Sequence, residues 1–287
     1  MTSTQRNNFG TFTAAAVTFG DNSPAVAGGG ADPSRPQPSA GGCSRVLLVV
    51  VADVERDATI RAVTAVSGAS LTRSHSRHHT IYSLGRIGRT EVTLAQVAQG
   101  TTTPDAAGVA MPALLDDVKP HFVLAVGICY GLKADDPRRP QQLGDVLIAT
   151  QLRLAAHRKV AGTETDRGGA VHPSAVLLDR LRSARLDWRN EAAVHEGPIV
   201  TESVLVDSAA YQQRIRRLYP EAIGGEMEGA GVYAAAIRSK VDWALVKGIC
   251  DWGFDKDDRH QAPAAANAAS FVTHMIRIGG LDPIPSP

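Results

Sequence analysis

The 287-residue chain is 44% hydrophobic, 21% charged and 5% aromatic, the composition of an ordinary globular protein and not of a fibrous, collagen-like or wholly disordered one. Thirty Lys+Arg against 29 Asp+Glu leave a formal charge of +1, so no global field holds the chain on nucleic acid or on an anionic membrane. Cys43, Cys129 and Cys250 are scattered and form no C-x-x-C pair, which argues against a disulfide framework or a zinc site and favours a reducing, cytoplasmic setting. No apolar run reaches the roughly 18 residues of a membrane helix, and the start has no basic flank and apolar core of an export signal.

In chain order, residues 1–42 are rich in Gly, Ala, Ser and Pro, without a periodic apolar face, and read as a disordered tail; residues 43–287 read as one folded domain. Ser44 to Val51 is a continuous β-branched and aliphatic run, the pattern of a strand covered on both faces. A helix follows through about Val66, with Asp53 placed as its N-cap. Thr80 to Leu84 and Glu91 to Ala98 alternate and flank Gly85 to Thr90, which predicts an antiparallel hairpin. A helix over Pro104 to Val118 feeds a second buried strand, His121 to Val126, ending at Gly127. Strands are expected at Asp145 to Thr150 and Pro198 to Thr201. A helix over Ser208 to Leu218, a short strand near Ile223, a helix over Glu228 to Ser239, a strand over Trp243 to Lys247 and a closing helix over Ala262 to Arg277 complete the series. This alternation predicts a single three-layer α/β/α domain around a central mixed sheet.

In open α/β sheets ligands collect outside the carboxyl ends of strands. Four such segments carry chemistry: Asp53 to Asp57, Gly127-Ile128-Cys129-Tyr130-Gly131, Gly224-Gly225-Glu226-Met227-Glu228-Gly229, and Lys247-Gly248-Ile249-Cys250-Asp251-Trp252. Glu228, at a helix start, suits vicinal sugar hydroxyls, although first-turn acids also serve the helix dipole. Asp251, held among Ile249, Cys250 and Trp252, suits a general acid, although an Asp there also suits a turn. The polar run Phe254 to His260 has the look of a lid. Cys129 has no evident His partner for thiol catalysis. His75, His78 and His79 sit in a polar stretch and read as a solvated turn before a metal site. No G-x-S-x-G elbow is present.

The order of these segments resembles the nucleoside phosphorylase/nucleosidase superfamily across roughly residues 45–278. The resemblance rests on Gly225-Glu226-Met227-Glu228, on Val246-Lys247-Gly248-Ile249-Cys250-Asp251 and on Gly144-Asp145-Val146-Leu147-Ile148. It is strongest toward methylthioadenosine/S-adenosylhomocysteine nucleosidases and toward nucleosidase effector domains of bacterial antiviral systems, some of which cleave ATP. The segments Thr201 to Asp207 and Asp251-Trp252-Gly253 point to the effector-like branch. The resemblance implies Asp251 as the acid on the purine N7 and Glu228 as holder of the ribose hydroxyls. Glu226 and Met227 stand beside the sugar, and Lys247 takes a place where an arginine is common. Asp57, preferred over Glu55, orients the water. Gly127, Ile128 and Cys129 form the glycine segment against the substrate. Leu205 falls where an aromatic usually stacks on the base, which implies that stacking is weaker here or comes from elsewhere, with Trp252 as the candidate.

The implied activity is hydrolysis of a purine nucleoside or nucleotide at its base–ribose bond, without metal or organic cofactor. Such cleavage needs an acid on the leaving group and negative charge near a cationic sugar. Ile128, Cys129 and Tyr130 stand where a phosphorylase places a Ser or Thr, which favours water; Arg56 keeps a phosphate-dependent phosphorylase as the alternative, and a non-catalytic nucleotide-sensing module is the other. A 5′-phosphorylated substrate such as AMP or ATP would draw on Arg73, Arg77, His78, His79, Arg86, Arg89, Arg158 and Lys159. The resemblance further implies a homo-oligomer and, for a defence effector, a sensor protein or second messenger as activator. Neither nucleic acid nor membrane is expected as partner.

Overall fold

A computed structural model describes residues 42–283 apart from 101, 156, 157 and 162. The expected tail therefore lies outside the described residues except for Gly42, whose carbonyl accepts a hydrogen bond from Arg89.

The first strand, β1 (Ser44–Val50), is buried on both faces, and its alternation divides the core. Val46, Leu48 and Val50 face one apolar cluster, with residues of α1 (Asp53–Ser67), α3 (Ala175–Arg185) and α6 (Gln261–Arg277). Leu47 and Val49 face the other, with α2 (Ala107–Val118) and α5 (Gly229–Arg238). A run of aliphatic residues with no polar face is thus explained by helices on both sides. The domain is the expected three-layer α/β/α sandwich around a mixed sheet.

The remaining strands are β2 (Thr72–His75), β3 (Thr80–Ile87), β4 (Thr90–Gln96), β5 (Phe122–Gly131), β6 (Val146–Leu154), β7 (Arg158–Ala161), β8 (Thr163–Asp166), β9 (Ala170–Val171), β10 (Val194–Thr201), β11 (Gly224–Glu226) and β12 (Asp242–Asp251). The main sheet runs β11-β10-β6-β12-β5-β1-β4-β3-β2, with β9 beside β6 and β7–β8 as a separate pair. β11 pairs in parallel with β10 and antiparallel with Tyr130 and Gly131 of β5. The strands β5, β12, β6, β10 and β11 therefore close into a ring. A fourth helix, α4 (Ala209–Leu218), starts at Ser208, whose hydroxyl accepts from the Tyr211 amide.

Several expectations shift. The N-cap of α1 is Ala52, not Asp53, and Glu55 supplies the capping side chain. The hairpin turn is tighter than the sequence suggested: β3 runs to Ile87 and the chain reverses at Gly88, which has φ +59°. Gly127 to Gly131 is not a loop after a strand but the second half of β5, because β12 pairs alongside it through Asp251↔Tyr130. The same pairing carries β12 past Lys247 to Asp251.

Candidate active site

A cavity of about 420 Å3 opens at the strand ends where β5, β11 and β12 meet the start of α1. Its lining includes Glu55, Ile128, Cys129, Leu205, Glu226, Met227, Glu228 and Asp251, all singled out in the sequence. Val51, Ala52, Tyr130, Val204, Val206, Gly225 and Cys250 come from the same segments. Gln99, Lys256 and Gln261 also line it and had not been assigned a role.

Glu55 is 3% exposed, yet its carboxylate is fully engaged with backbone. Oε2 accepts from the amides of Val51 (2.6 Å) and Ala52 (3.0 Å), and Oε1 accepts from the Ile128 amide (2.7 Å). This is the reach-back geometry of an acidic residue at the third helical position, extended across to β5. The approach is close enough that a Cβ on Gly127 would overlap Glu55 Oε1. Asp57, the preferred water-orienting residue, is not in the cavity. Two residues further round the helix, it pairs with Arg56 and lines a separate depression with Arg61, Arg73 and Tyr82. The period of 3.6 that buries position 55 turns position 57 outward.

Glu226 ends β11 and Glu228 begins α5. Glu226 Oε2 accepts from the amides of Glu228 (2.9 Å) and Gly229 (2.8 Å), so this carboxylate caps the helix. Burial, then the neighbouring Glu228, push its carboxyl above the ordinary range, against the pull of Lys247 and Thr201. Glu228 Oε1 faces the Gly100 amide (3.4 Å) and Oε2 lies 3.2 Å from Lys247 Nζ. Lys247 does not line the cavity but sits beneath it, 2% exposed. Burial works against its ammonium, and Glu228, then Glu55 and Glu226, overcome that and hold it above the usual lysine range. One buried cation thus serves three carboxylates. Met227 packs at the rim, its Sδ 3.2 Å from Gln99 Nε2.

Asp251 is the last residue of β12. Its Oδ1 accepts from the Gly253 amide (2.7 Å), its Oδ2 from the Cys250 thiol (3.2 Å), and Lys256 Nζ lies 3.9 Å from Oδ2. Burial pushes the Cys129 and Cys250 thiols up, which leaves both protonated and removes Cys129 as a nucleophile. Gly127 backs Glu55 without lining the cavity. Trp252 does not line it either: its ring lies over Gly131 and packs with the α2/α5 side of the core. Leu205 does reach the cavity mouth, and is 61% exposed.

The family model of the Phosphorylase superfamily matches residues 47–277, which spans every strand and helix just described except the first residues of β1. The chain belongs to this superfamily. Among curated relatives, it is 24% identical over 260 residues to a death domain-containing ATP nucleosidase of Amphimedon queenslandica, covering 81% of this chain and 48% of that protein. It is 25% identical over 208 residues to the 5′-methylthioadenosine/S-adenosylhomocysteine nucleosidase of Maridesulfovibrio salexigens, covering 68% and 85%. An ATP nucleosidase of Escherichia coli is 29% identical over 200 residues, covering 58% of this chain and 38% of that protein. The chain thus spans half or less of the two ATP nucleosidases it matches. Among solved structures, the methylthioadenosine/S-adenosylhomocysteine nucleosidase of Neisseria meningitidis superposes with a TM-score of 0.69 at 20% identity, over 82% of this chain and 99% of that one.

Within the superfamily fold, the six described side chains among the basic residues expected to hold a 5′-polyphosphate lie outside the cavity lining. Arg73 stacks on Tyr82, Arg86 reaches Cys43, Arg89 reaches Gly42, and His78 and His79 line a different depression. Arg77 is exposed and lines none of the cavity, and the side chains of Arg158 and Lys159 lie outside the described residues. Arg56, the residue that kept phosphorolysis open, is held by Asp53, Asp57 and Gln96 outside the cavity. Among the described residues no group of three or more His, Cys, Asp or Glu is placed to hold a metal, and no helix is long and apolar enough to cross a membrane.

Proposed function

We propose that this chain is a purine N-glycosidase that transfers the ribosyl group of an adenosine-type nucleoside or nucleotide to water. The observation that carries this is the seat of Glu55. The amides of Val51, Ala52 and Ile128 converge as a ready anion cradle, and a carboxylate of the chain itself fills it. A phosphate nucleophile would have to enter against that charge and without Arg56; a water molecule meets in Glu55 a hydrogen-bond acceptor and a base.

The chemistry then follows from the groups around the cavity. Asp251, as the acid, donates a proton to N7 of the purine while the C1′–N9 bond breaks and its electrons pass to the base. Glu228 accepts from the ribose hydroxyls and, with Glu226 behind it, places negative charge beside the developing oxocarbenium ion. Water attacks C1′ and gives its proton to Glu55. Lys247 Nζ, 3.2 Å from Glu228 Oε2, keeps Glu228 oriented. The equation balances as nucleoside plus water giving free base plus ribose or its 5′ derivative.

Among the described residues none of the expected basic cluster lines the cavity, and the apolar rim of Val204, Leu205 and Met227 supports an uncharged 5′ substituent. A homo-oligomer, a cytoplasmic setting and an activating sensor or second messenger in an antiviral context belong to the same proposal, the last supported by likeness to ATP nucleosidases.

The test is chromatographic detection of free base after incubation with adenosine, methylthioadenosine, AMP and ATP, each with and without inorganic phosphate. Base released in phosphate-free buffer is the expected result. Release only with phosphate would make the protein a phosphorylase, and silence in folded protein would favour a sensing module.

A further inference from the structure

Among the described residues, Lys256 is the one cation that lines the cavity from a segment outside the four strand ends. Its place is built by the backbone. Gly253 has φ +77° and Asp255 has φ +50°, a left-handed conformation that a non-glycine residue adopts at a cost. These two reversals fold the segment after β12 back over the cavity. Asp257 then caps the following one-turn 3-10 helix by accepting from the Arg259 amide (2.9 Å), and α6 follows directly. The run read as a lid is thus a turn that delivers one ammonium group to the acid's side.

The ammonium stands 3.9 Å from Asp251 Oδ2, beyond hydrogen-bond range, with its side chain 28% exposed. Asp251 is already held by the Gly253 amide and the Cys250 thiol. Lys256 is therefore not needed to fix the acid, and its donors are available to a ligand on which Asp251 acts. In a purine the atom beside N7 along the same edge is the substituent at position 6. Adenine presents there an amino donor, guanine and hypoxanthine an oxygen acceptor. A lysine has three donors and no acceptor, so it can bond to an oxygen at position 6 and only opposes an amino group.

Resting on the N-glycosidase reading above, we infer that Lys256 is a base-specificity residue whose ammonium donates to the 6-oxygen of a purine held at N7 by Asp251. The substrate class of the site thereby includes 6-oxopurine nucleosides alongside the adenosine type. Proton transfer is unchanged: Asp251 protonates N7 and the base leaves neutral, while Lys256 keeps its own protons and its hydrogen bond to the 6-oxygen strengthens as the C1′–N9 electron pair passes into the ring.

The experiment compares kcat/KM for adenosine and inosine in the wild-type protein, K256M and K256R, all in phosphate-free buffer. The expected result is hypoxanthine release by the wild type, a fall in the inosine-to-adenosine ratio of about tenfold or more in K256M, and a ratio within about threefold of wild type in K256R. Adenosine cleavage is the internal control for folding of each variant. Adenine release with no hypoxanthine from the wild type would overturn the inference and leave the N-glycosidase reading standing. Equal losses on both substrates in K256M would also overturn it, because Lys256 would then act only through Asp251. No base from either substrate with the wild type would overturn both.

Discussion

Asp251 and Glu226 are both carboxylates at strand ends, yet their surroundings assign them different work. Asp251 keeps one oxygen near the cavity with only a thiol and a distant ammonium against it, which suits a group that must give up and regain a proton. Replacing it by Asn removes the acid while keeping the Gly253 hydrogen bond. The expected outcome is a kcat lowered about 10²- to 10⁴-fold with KM changed far less, read from steady-state base release. Glu226 spends its accessible oxygen on two helix amides, and burial beside Glu228 raises its pKa above the ordinary 4.5. A group that binds its proton more tightly when folded adds stability that is complete below the unfolded pKa and is lost as pH rises through the folded one. Thermal melts of wild type and E226Q should therefore diverge in the wild type's favour as pH falls from about 7 toward 4.5, and a constant difference would refute the assignment. The residue scale is also where the sequence misled. Two acids spaced two apart, Glu55 and Asp57, look equivalent in a string, and only the helical phase separates them. An acid three residues beyond the helix cap was the usable signal. Trp252 misled in the same way, since an aromatic beside a catalytic residue can face the core instead. Gln99 carried no signal beyond its place just after a buried strand.

At the scale of elements, glycines decide how closely strands and helices approach. Gly127 of β5 lies under the Glu55 carboxylate, and Gly248 of β12 lies against the backbone of Ala264 in α6. An added methyl meets a side chain that can swing away in the first case and main chain that cannot in the second. Gly127→Ala should therefore displace Glu55 from its three amides, lowering kcat at least about tenfold and costing about 1–2 kcal/mol of stability through the lost helix cap. Gly248→Ala should cost about 1–3 kcal/mol of stability, measured by denaturant unfolding, because the strand and helix must separate. The strands and helices with strong apolar periodicity were legible from the sequence: β1, the hairpin, α2, α5 and α6 stand where expected. The elements that went unread had weaker patterns. β2 is four exposed residues, Thr72 to His75, held to β3 by the backbone ladder and by solvent-facing side-chain contacts such as Arg73 on Tyr82, so no apolar pattern marked it in the sequence. α3 buries only Leu177, Leu181 and Ala184. Gly127 to Gly131 was read as a turn because glycines usually punctuate, whereas here small residues let β5 pass between β12 and β11.

At the scale of the whole molecule, four carboxylates and one fully buried lysine surround a cavity in a chain of net charge +1. The negative field is local, and on the proposed reaction it faces the cationic sugar that forms only part-way through. A purine linked to a cationic pyrrolidine in place of ribose should therefore bind more tightly than the nucleoside itself. At a hundred times its dissociation constant such a ligand adds about 2.7 kcal/mol to folding, which raises the melting temperature of a domain this size by roughly 5–11 °C. Calorimetry of wild type and Glu228→Gln checks this, and an undiminished shift in the variant would remove Glu228 from the ribosyl subsite. The general architecture and the identity of the site segments were legible because α/β sheets place ligands at strand ends; the fate of the basic residues was not, because a polar edge strand gives no hint of which way it faces.

A three-residue strand has the largest hold on the site. β11 is three residues long but is hydrogen-bonded on both sides, to β10 and to β5, and it delivers Glu226, Met227 and Glu228 in succession. Closing the ring with so few residues means that it cannot fray from a free edge, as the exposed β2 can. Deuterium labelling of the native protein should show this as late exchange at Gly225 and Glu226, matched to the slowest amides of β5 and early only in β2. Glu228, the carboxylate proposed to hold the sugar, should then be either fully in place or lost together with the sheet, so partial unfolding should abolish any turnover outright and not weaken it by degrees.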